Sequence, residues 1–252
     1  MRRYVALLAV LMLFAGGAAC GEVHPLDEWL EACVDEAPST AGMVDCAAEG
    51  SKLWDEELNR VYKELMGLLS KEAKEALRTA QRAWIPWRDS EYALIVAVYD
   101  TIFNSPSGGT MWVTVQAMDE MEVVRERTLR LTEWLEEMEA GKPSYSAKYP
   151  AAQTDEQLAA AMKVKNDSAR LGKVIGKNGP DIASKNLKLW EDFRNKDAQF
   201  LVLFYGKKGD KGYPLHARMQ MNVKRAEKLD GFYSTLKDEL GDALEGKPKK
   251  KK

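Results

Sequence analysis

The sequence predicts an all-α protein built from two consecutive helical repeats of about three long helices each. Three observations lead to this prediction. Apolar residues recur three or four positions apart over long stretches, no segment shows sustained strand alternation, and two short motifs of the first half recur in the same order in the second half. A chain of 252 residues, 45% of them hydrophobic, is also long enough to bury a substantial core.

The first element serves export and is not part of the fold. Two arginines precede an apolar run, and the small residues AGGAAC follow it, which is the pattern of a secretory signal peptide over residues 1–20. The run is too short for an ordinary membrane span. Cys20 stands where a bacterial lipoprotein signal carries its lipid-modified cysteine, although Gly17 replaces the expected leucine. We expect lipid at Cys20; cleavage near Ala19, leaving a free thiol, is the alternative.

The other two cysteines, Cys33 and Cys46, flank a stretch rich in turn-forming residues. Export places them in an oxidising compartment, and they are the pair that remains when Cys20 carries lipid. We therefore expect a short helix from about Leu26, a turn, and a second helix that a disulfide holds to the first. Closing a loop of this size stabilises the folded state by about 3 kcal/mol in the chain-entropy treatment.

Three long amphipathic helices follow, each with apolar residues at helical spacing. The first has its apolar row at positions 54, 58, 61, 62, 65, 68 and 69. Ser70 is placed to cap the second, whose apolar residues are Leu77, Ala80, Trp84, Ile95, Val98 and Ile102. The loop over residues 104–110 leads to the third, which Gly141 and Pro143 end and whose row is Met118, Met121, Thr128, Leu131, Leu135 and Met138.

The second half resembles the first. WIPWRDSE at 84 aligns with WEDFRNKD at 190, an offset of 106 that pairs Trp84 with Trp190, Trp87 with Phe193, Arg88 with Arg194 and Glu91 with Asp197. MEVVRERTL at 121 aligns with MNVKRAEKL at 221, an offset of 100. We predict a duplication with these boundaries: a first helical domain over 21–141, a linker over 142–153, a degenerate second repeat over 154–244 and a basic tail over 245–252.

One face of the second long helix combines aromatic and polar residues at steps of three and four: Gln81, Trp84, Arg88 and Tyr92. If Arg88 is buried it needs partners, and Asp55 and Asn59 on the preceding helix are candidates. We interpret this set as a satisfied polar cluster within a helical hairpin; a ligand site is the alternative. Pro86 lies in the same stretch and should kink or bulge the helix.

The motif D-x-x-L-N-x-x-Y followed by A-Q-x-x-W-x-x-x-R, after two cysteines 13 apart, resembles the LprI-like lysozyme-inhibitor family of secreted bacterial proteins. The residues that carry the resemblance are Cys33, Cys46, Asp55, Leu58, Asn59, Tyr62, Leu65, Gln81, Trp84 and Arg88. It covers about residues 30–135 and implies an exported, all-helical binding domain that inhibits lysozyme or another peptidoglycan-cleaving enzyme. Family members often carry a further cysteine pair, which this sequence lacks.

Charge divides the chain into two opposed halves. Residues 21–141 hold 25 acidic and 11 basic residues, a net charge of −14, whereas residues 142–252 hold 14 acidic and 24 basic residues, a net charge of +10. We expect the acidic half to meet a basic lysozyme-like protein and the basic half, with its KPKKKK tail, to lie on an anionic envelope surface. Two solvated surfaces that attract each other are the alternative. We expect no nucleic-acid partner.

No catalytic, metal or cofactor site stands out. Three cysteines and two histidines are too few for a metal cluster, and carboxylates on charged helices are usually solvated, so we predict a protein that is not an enzyme. Ser107, Gly108 and Gly109 form a candidate inhibitory loop. A non-catalytic structural or adaptor lipoprotein of the envelope remains the alternative function. An inhibitor should present a compact loop that fills a substrate cleft, whereas an adaptor should offer a long apolar helix face.

Overall fold

The computed structural model describes residues 23–105, 108–141, 154–205, 212–241 and 244. These residues form helices and their connections, with no strand among them, which confirms the predicted all-α class. The seven helices are α1 Pro25–Glu36, α2 Thr40–Leu68, α3 Lys71–Phe103, α4 Met111–Glu139, α5 Thr154–Gly172, α6 Gly179–Phe204 and α7 Gly212–Leu240. Outside the described residues lie the predicted signal peptide with Cys20, Ser107 of the candidate loop, the linker over 142–153 and the tail over 245–252.

The lead-in folds as the sequence predicts. His24 caps α1, because its Nδ1 accepts a hydrogen bond from the Leu26 N–H at 3.2 Å. Ser39 caps α2 in the same way, with Oγ accepting from the Gly42 N–H at 3.2 Å. A disulfide joins Cys33 in α1 to Cys46 in α2, with their Cα atoms 5.9 Å apart. The predicted bridge is thus confirmed, and it ties α1 to the side of α2.

Helix α3 runs through Pro86 without a break. It begins at the predicted cap, where Ser70 Oγ accepts from the Ala73 N–H at 3.2 Å. Proline lacks an N–H, so one intrahelical hydrogen bond is missing. Pro86 and its neighbour Ile85 face solvent, with Ile85 46% exposed, so the missing bond lies on the hydrated side of the helix. The buried row of α3 continues on both sides of Pro86, through Trp84 before it and Trp87 and Leu94 after it.

The two halves pack against each other through α3 and α6. Helix α2 lies along α4, helix α5 lies along α7, and α3 packs on α6 between them. Helices α3 and α6 are antiparallel, because Glu91 meets Asn186 while Trp87, one turn earlier, stacks on Phe193 with ring centroids 5.2 Å apart. One hydrophobic cluster runs through both halves and includes Trp54, Leu65, Leu94, Trp134, Phe200 and Leu229.

Most predicted core residues of α2, α3 and α4 are buried, with one clear exception. Leu68 belongs to the predicted row of α2, yet it is 48% exposed. The buried row runs through Leu58, Val61, Leu65 and Leu69, and Leu68 at the end of the helix falls beside it. Gly141 follows α4 with φ of 104°, a conformation that favours glycine, as the predicted helix end requires. The duplication and its domain boundaries stay predictions.

Candidate functional site

The residues of the sequence motif have mainly structural contacts. Leu58 and Trp84 are buried in the core, and Tyr62 is half-buried. Gln81 accepts a hydrogen bond through Oε1 from Nε of Arg127 in α4, at 2.6 Å. The motif therefore helps to hold a buried arginine of the neighbouring helix.

The predicted partners of Arg88 are wrong. Its guanidinium donates to Oδ1 of the adjacent Asp89, at 3.0 Å from Nε and 2.8 Å from Nη2. Asn59 instead donates to Asp55, at 2.7 Å to the carbonyl oxygen and 3.1 Å to Oδ2. The side chain of Arg88 is 25% exposed and lies over the Trp84 ring at 5.3 Å, so it reaches water and needs no partner on α2.

A buried ion pair joins α7 to α3. Arg225 donates to both carboxylate oxygens of Glu91, at 2.6 and 2.8 Å, and Nη2 also donates to Asn186 Oδ1 at 2.7 Å. Asn186 in α6 donates in turn to Glu91 Oε2 at 2.9 Å. Burial disfavours the ionised form of Glu91, but the charges of Arg225 and Lys228 and these hydrogen bonds outweigh it and hold the pKa of Glu91 below its ordinary value.

A second buried ion pair repeats this arrangement in reverse. Arg127 in α4 donates through Nη1 to Asp197 in α6 at 2.9 Å, and its Nε donates to Gln81 in α3. In the first pair, Arg225 of α7 contacts an acidic residue on α3 and an amide side chain on α6. In the second pair, Arg127 of α4 contacts an acidic residue on α6 and an amide side chain on α3. The two acids are the pair that the predicted alignment matched, Glu91 with Asp197, while the duplication itself stays a prediction.

The sequence analysis missed both arginines of these pairs. It aligned Glu91 with Asp197 but assigned neither a partner. The available signal was the position of Glu91, four residues after Trp87 and four before Ile95, within the buried row of α3. A charge in an apolar row requires a buried partner of opposite sign.

The candidate inhibitory loop lies in the connection between α3 and α4, residues 104–110, which we call the α3–α4 turn. Backbone hydrogen bonds close its described part. The Gly108 N–H donates to the Ser105 carbonyl at 3.0 Å, and the Trp112 N–H donates to the Gly109 carbonyl at 3.1 Å. A Cβ atom added to Gly108 would stand 2.1 Å from the Phe103 carbonyl oxygen, whereas one added to Gly109 would meet nothing within 4 Å. Glycine is therefore required at position 108 and optional at 109.

Exposed apolar side chains surround this turn. Phe103 is 49% exposed, Met111 40% and Val113 42%, and all three lie within the same short stretch at the end of α3 and the start of α4. Beside them is a half-open pocket of about 160 Å³, lined by Tyr99, Asp100, Phe103, Trp112, Val113 and Gln116, which we call the α3–α4 pocket. The arrangement is suited to contact with another protein.

Three further observations on the described residues complete the description of the surface. In the described ranges, no group of three or more His, Cys, Asp or Glu side chains is placed to hold a metal ion. A second groove, of about 260 Å³, lies at the other end of α3, between Ser70, Gly141 and Phe204. Across the same described ranges, no helix has the length and apolar character needed to span a membrane.

Comparisons with known proteins agree with this architecture. An uncharacterized protein from Burkholderia thailandensis, known from its crystal structure, is similar with a TM-score of 0.61 and 22% sequence identity. The similarity covers 82% of this chain and 98% of that one, so the likeness in fold extends into the second half. No curated protein matches the sequence.

Residues 33–131 match the sequence profile of the family described as lysozyme inhibitor LprI. The matched range begins at Cys33 of the disulfide and includes the motif residues, the α3–α4 turn and Arg127. The resemblance predicted from the sequence is therefore confirmed: this chain is similar to the LprI lysozyme-inhibitor family over residues 33–131.

Proposed function

We propose that this protein is an exported, lipid-anchored inhibitor of lysozyme or of another peptidoglycan-cleaving enzyme, and that it is not itself an enzyme. The contact is made by the α3–α4 turn, which enters the substrate cleft of the hydrolase. The observation that carries the proposal is the tight turn flanked by exposed Phe103, Met111 and Val113, inside the range that matches the LprI family.

The distribution of exposed apolar residues favours an inhibitor over an adaptor. An adaptor needs a continuous apolar helix face, which would show as exposed large residues in a row. Most large exposed apolar residues of the described ranges are isolated, and Leu158 and Met162 on α5 form one pair. Among the described residues, only the region of the α3–α4 turn has three, between positions 103 and 113. Substrate clefts of enzymes are concave, so a connection between two helices is better suited to enter one than a flat helix face.

Charge supports a basic target. The half that carries the turn has a net charge of −14, so it attracts a basic hydrolase over distances of about 8 Å at physiological ionic strength. The basic half, with a net charge of +10, then faces anionic material of the envelope. Higher salt should slow association, while the packed contact of the turn should survive moderate salt.

The proposal predicts that Gly108→Ala weakens inhibition and Gly109→Ala does not. The new Cβ at position 108 would overlap backbone atoms of Phe103, so the turn must change its shape; position 109 has free space. We expect an inhibition constant about tenfold higher for Gly108→Ala, a loss of about 1.4 kcal/mol of binding free energy. The assay is clearance of a cell-wall suspension by a basic c-type lysozyme in the presence of the purified mature chain.

Matched controls make this assay decisive. Both variants should keep the helical circular dichroism spectrum and a melting temperature close to that of the unaltered chain. If Gly108→Ala inhibits as strongly as Gly109→Ala, the turn is not the contact. If the unaltered chain inhibits no peptidoglycan-cleaving enzyme at any salt concentration, the adaptor function replaces the inhibitor function.

The lipid anchor has its own test. Cys20→Ala should release the protein from the membrane fraction into the soluble envelope fraction or the medium, because a protein without lipid loses its hydrophobic attachment. Fractionation followed by immunoblotting measures the distribution. Unchanged membrane association of the variant would rule out lipid at Cys20. Mass spectrometry of the mature N-terminus separates lipidation from cleavage near Ala19.

A further inference from the structure

Arginine side chains of this protein repeatedly occupy one kind of environment. In each case the guanidinium lies over an aromatic ring and pairs with a carboxylate. The examples are Arg88 over Trp84 at 5.3 Å with Asp89, Arg125 over Trp54 at 5.6 Å with Asp27, Arg127 over Phe193 at 5.1 Å with Asp197, and Arg170 over Tyr233 at 4.0 Å with Asp230. Ring and carboxylate together attract a guanidinium more strongly than either alone.

The α3–α4 pocket has the same components without a cation. The aromatic residues Tyr99, Phe103 and Trp112 line it, and so does the acidic residue Asp100. No arginine or lysine is among the described residues that line it. Asp100 is exposed, and its carboxylate makes no hydrogen bond or ion pair with another described residue. The pocket is therefore complementary to a positive charge that none of the described residues lining it supplies.

The walls of the pocket are held in place before any partner arrives. Tyr99 is buried, and its hydroxyl donates to Asp119 Oδ2 at 2.6 Å. Burial raises the pKa of Tyr99, and the Asp119 charge raises it further, so the hydroxyl remains a donor at neutral pH. The Trp112 ring stacks on the Tyr99 ring with centroids 5.9 Å apart. Gln116 donates through Nε2 to Glu120 at 2.9 Å, which leaves its carbonyl oxygen to accept.

We propose that the α3–α4 pocket binds one arginine side chain of the basic protein partner. This inference rests on the proposed function for the identity of the partner, but its chemistry rests on the pocket alone. A planar guanidinium can stack on Trp112 or Phe103 while it donates to the Asp100 carboxylate and the Gln116 carbonyl. A lysine ammonium fits less well, because it is more strongly hydrated and cannot stack.

The first experiment compares two charge-neutralising variants of the mature chain in the lysozyme assay. Asp100→Asn removes the charge at the pocket and keeps its shape, whereas Asp35→Asn removes an equal charge from an exposed position on α1. We expect inhibition to weaken at least about tenfold for Asp100→Asn and to stay nearly unchanged for Asp35→Asn, because a charge pair desolvated in the complex contributes far more than a distant charge. Phe103→Ala, which removes an exposed ring of the pocket, should act in the same direction.

The second experiment needs no hydrolase. The ¹⁵N-labelled mature chain is titrated with the peptide acetyl-Gly-Arg-Gly-amide and with the same peptide containing citrulline, which has the shape of arginine and no charge. The arginine peptide should shift the indole N–H resonance of Trp112, the citrulline peptide should shift it much less, and Asp100→Asn should remove the difference.

The two experiments separate failure of this inference from failure of the proposed function. Equal shifts with both peptides, or no shift with either, overturn the arginine pocket whatever the enzyme assay shows. An arginine-specific shift in a chain that inhibits no lysozyme keeps the pocket and refutes the proposed partner. A chain that inhibits lysozyme equally well with Asp100→Asn and Asp35→Asn keeps the function and places the contact elsewhere.

Discussion

Replacing Arg225 with methionine should lower the free energy of unfolding by about 3 to 5 kcal/mol, the usual cost of leaving a buried charge without its partner. Arg225 donates to both oxygens of Glu91, which has no solvent exposure at all. Asn186 would lose a donor to its carbonyl oxygen as well. Because α3 and α7 belong to different halves, the whole chain should lose stability, which urea denaturation followed by circular dichroism measures.

Two controls distinguish this ion pair from an ordinary one. The double variant Glu91→Leu with Arg225→Met should recover most of the loss, because neither charge then stays buried alone. Lys52→Met, which breaks an exposed pair with Glu49, should leave stability almost unchanged. A single Arg225→Met variant as stable as the unaltered chain would show that Glu91 is neutral or solvated in the folded protein.

The pH dependence of this loss has a definite sign. The pKa of Glu91 lies below the ordinary value of a glutamate, so its contribution to stability is present above that ordinary value and disappears as the pH falls through the lowered pKa. In Arg225→Met the burial of Glu91 is opposed by less positive charge, so its pKa rises and the variant gains relative stability in acid. The difference in unfolding free energy between the two proteins should therefore shrink as the pH falls, first through the raised pKa of Glu91 in the variant and then through its lowered pKa in the unaltered chain.

Removing the disulfide should cost about 3 kcal/mol of unfolding free energy and lower the melting temperature by roughly 6 to 12 °C. The bridge between Cys33 and Cys46 closes a short loop and restricts the unfolded chain. The variant is Cys33→Ala with Cys46→Ala, and the measurement is thermal unfolding. Loss of the bridge should loosen α1 first, since α1 is the shortest helix and none of its residues is fully buried.

Reduction provides the control for this prediction. A reducing agent should lower the stability of the unaltered chain to that of the double variant and should leave the double variant unchanged. If the double variant is as stable as the oxidised chain, the bidentate pair between Arg125 and Asp27 and the contact of His24 with Trp54 hold α1 without the bridge.

Local features of the fold were predictable because each depends on neighbours in sequence. The cap at Ser70, the disulfide and most of the buried rows follow from residue type and spacing. For Arg88 this reasoning predicted the wrong partners. Sequence distance favoured partners one helix away, but a long side chain lying over Trp84 reaches water and its own neighbour Asp89.

The buried ion pairs were not predictable in the same way, because they join residues far apart in sequence. Glu91 and Arg225 are separated by 134 positions, and Arg127 and Asp197 by 70. Their geometry also bears on the second alignment of the predicted repeats. The arginines with reciprocal roles, Arg127 and Arg225, are 98 positions apart, whereas the sequence match used an offset of 100. The pattern of apolar and charged residues in the sequence is compatible with an offset of either 98 or 100 positions.

The position of α1 sets how an anchored molecule lies on its membrane. Helix α3 has 33 residues, so the body is about 50 Å long at 1.5 Å per residue. His24 and Asp27 touch Trp54 and Arg125, about halfway along that length. With lipid on Cys20, the three residues up to Val23 extend at most about 11 Å. If Cys20 carries lipid, as proposed, the membrane would hold the molecule by its flank. The long axis would then lie along the bilayer, and the α3–α4 turn would point sideways, toward proteins that move along the same surface.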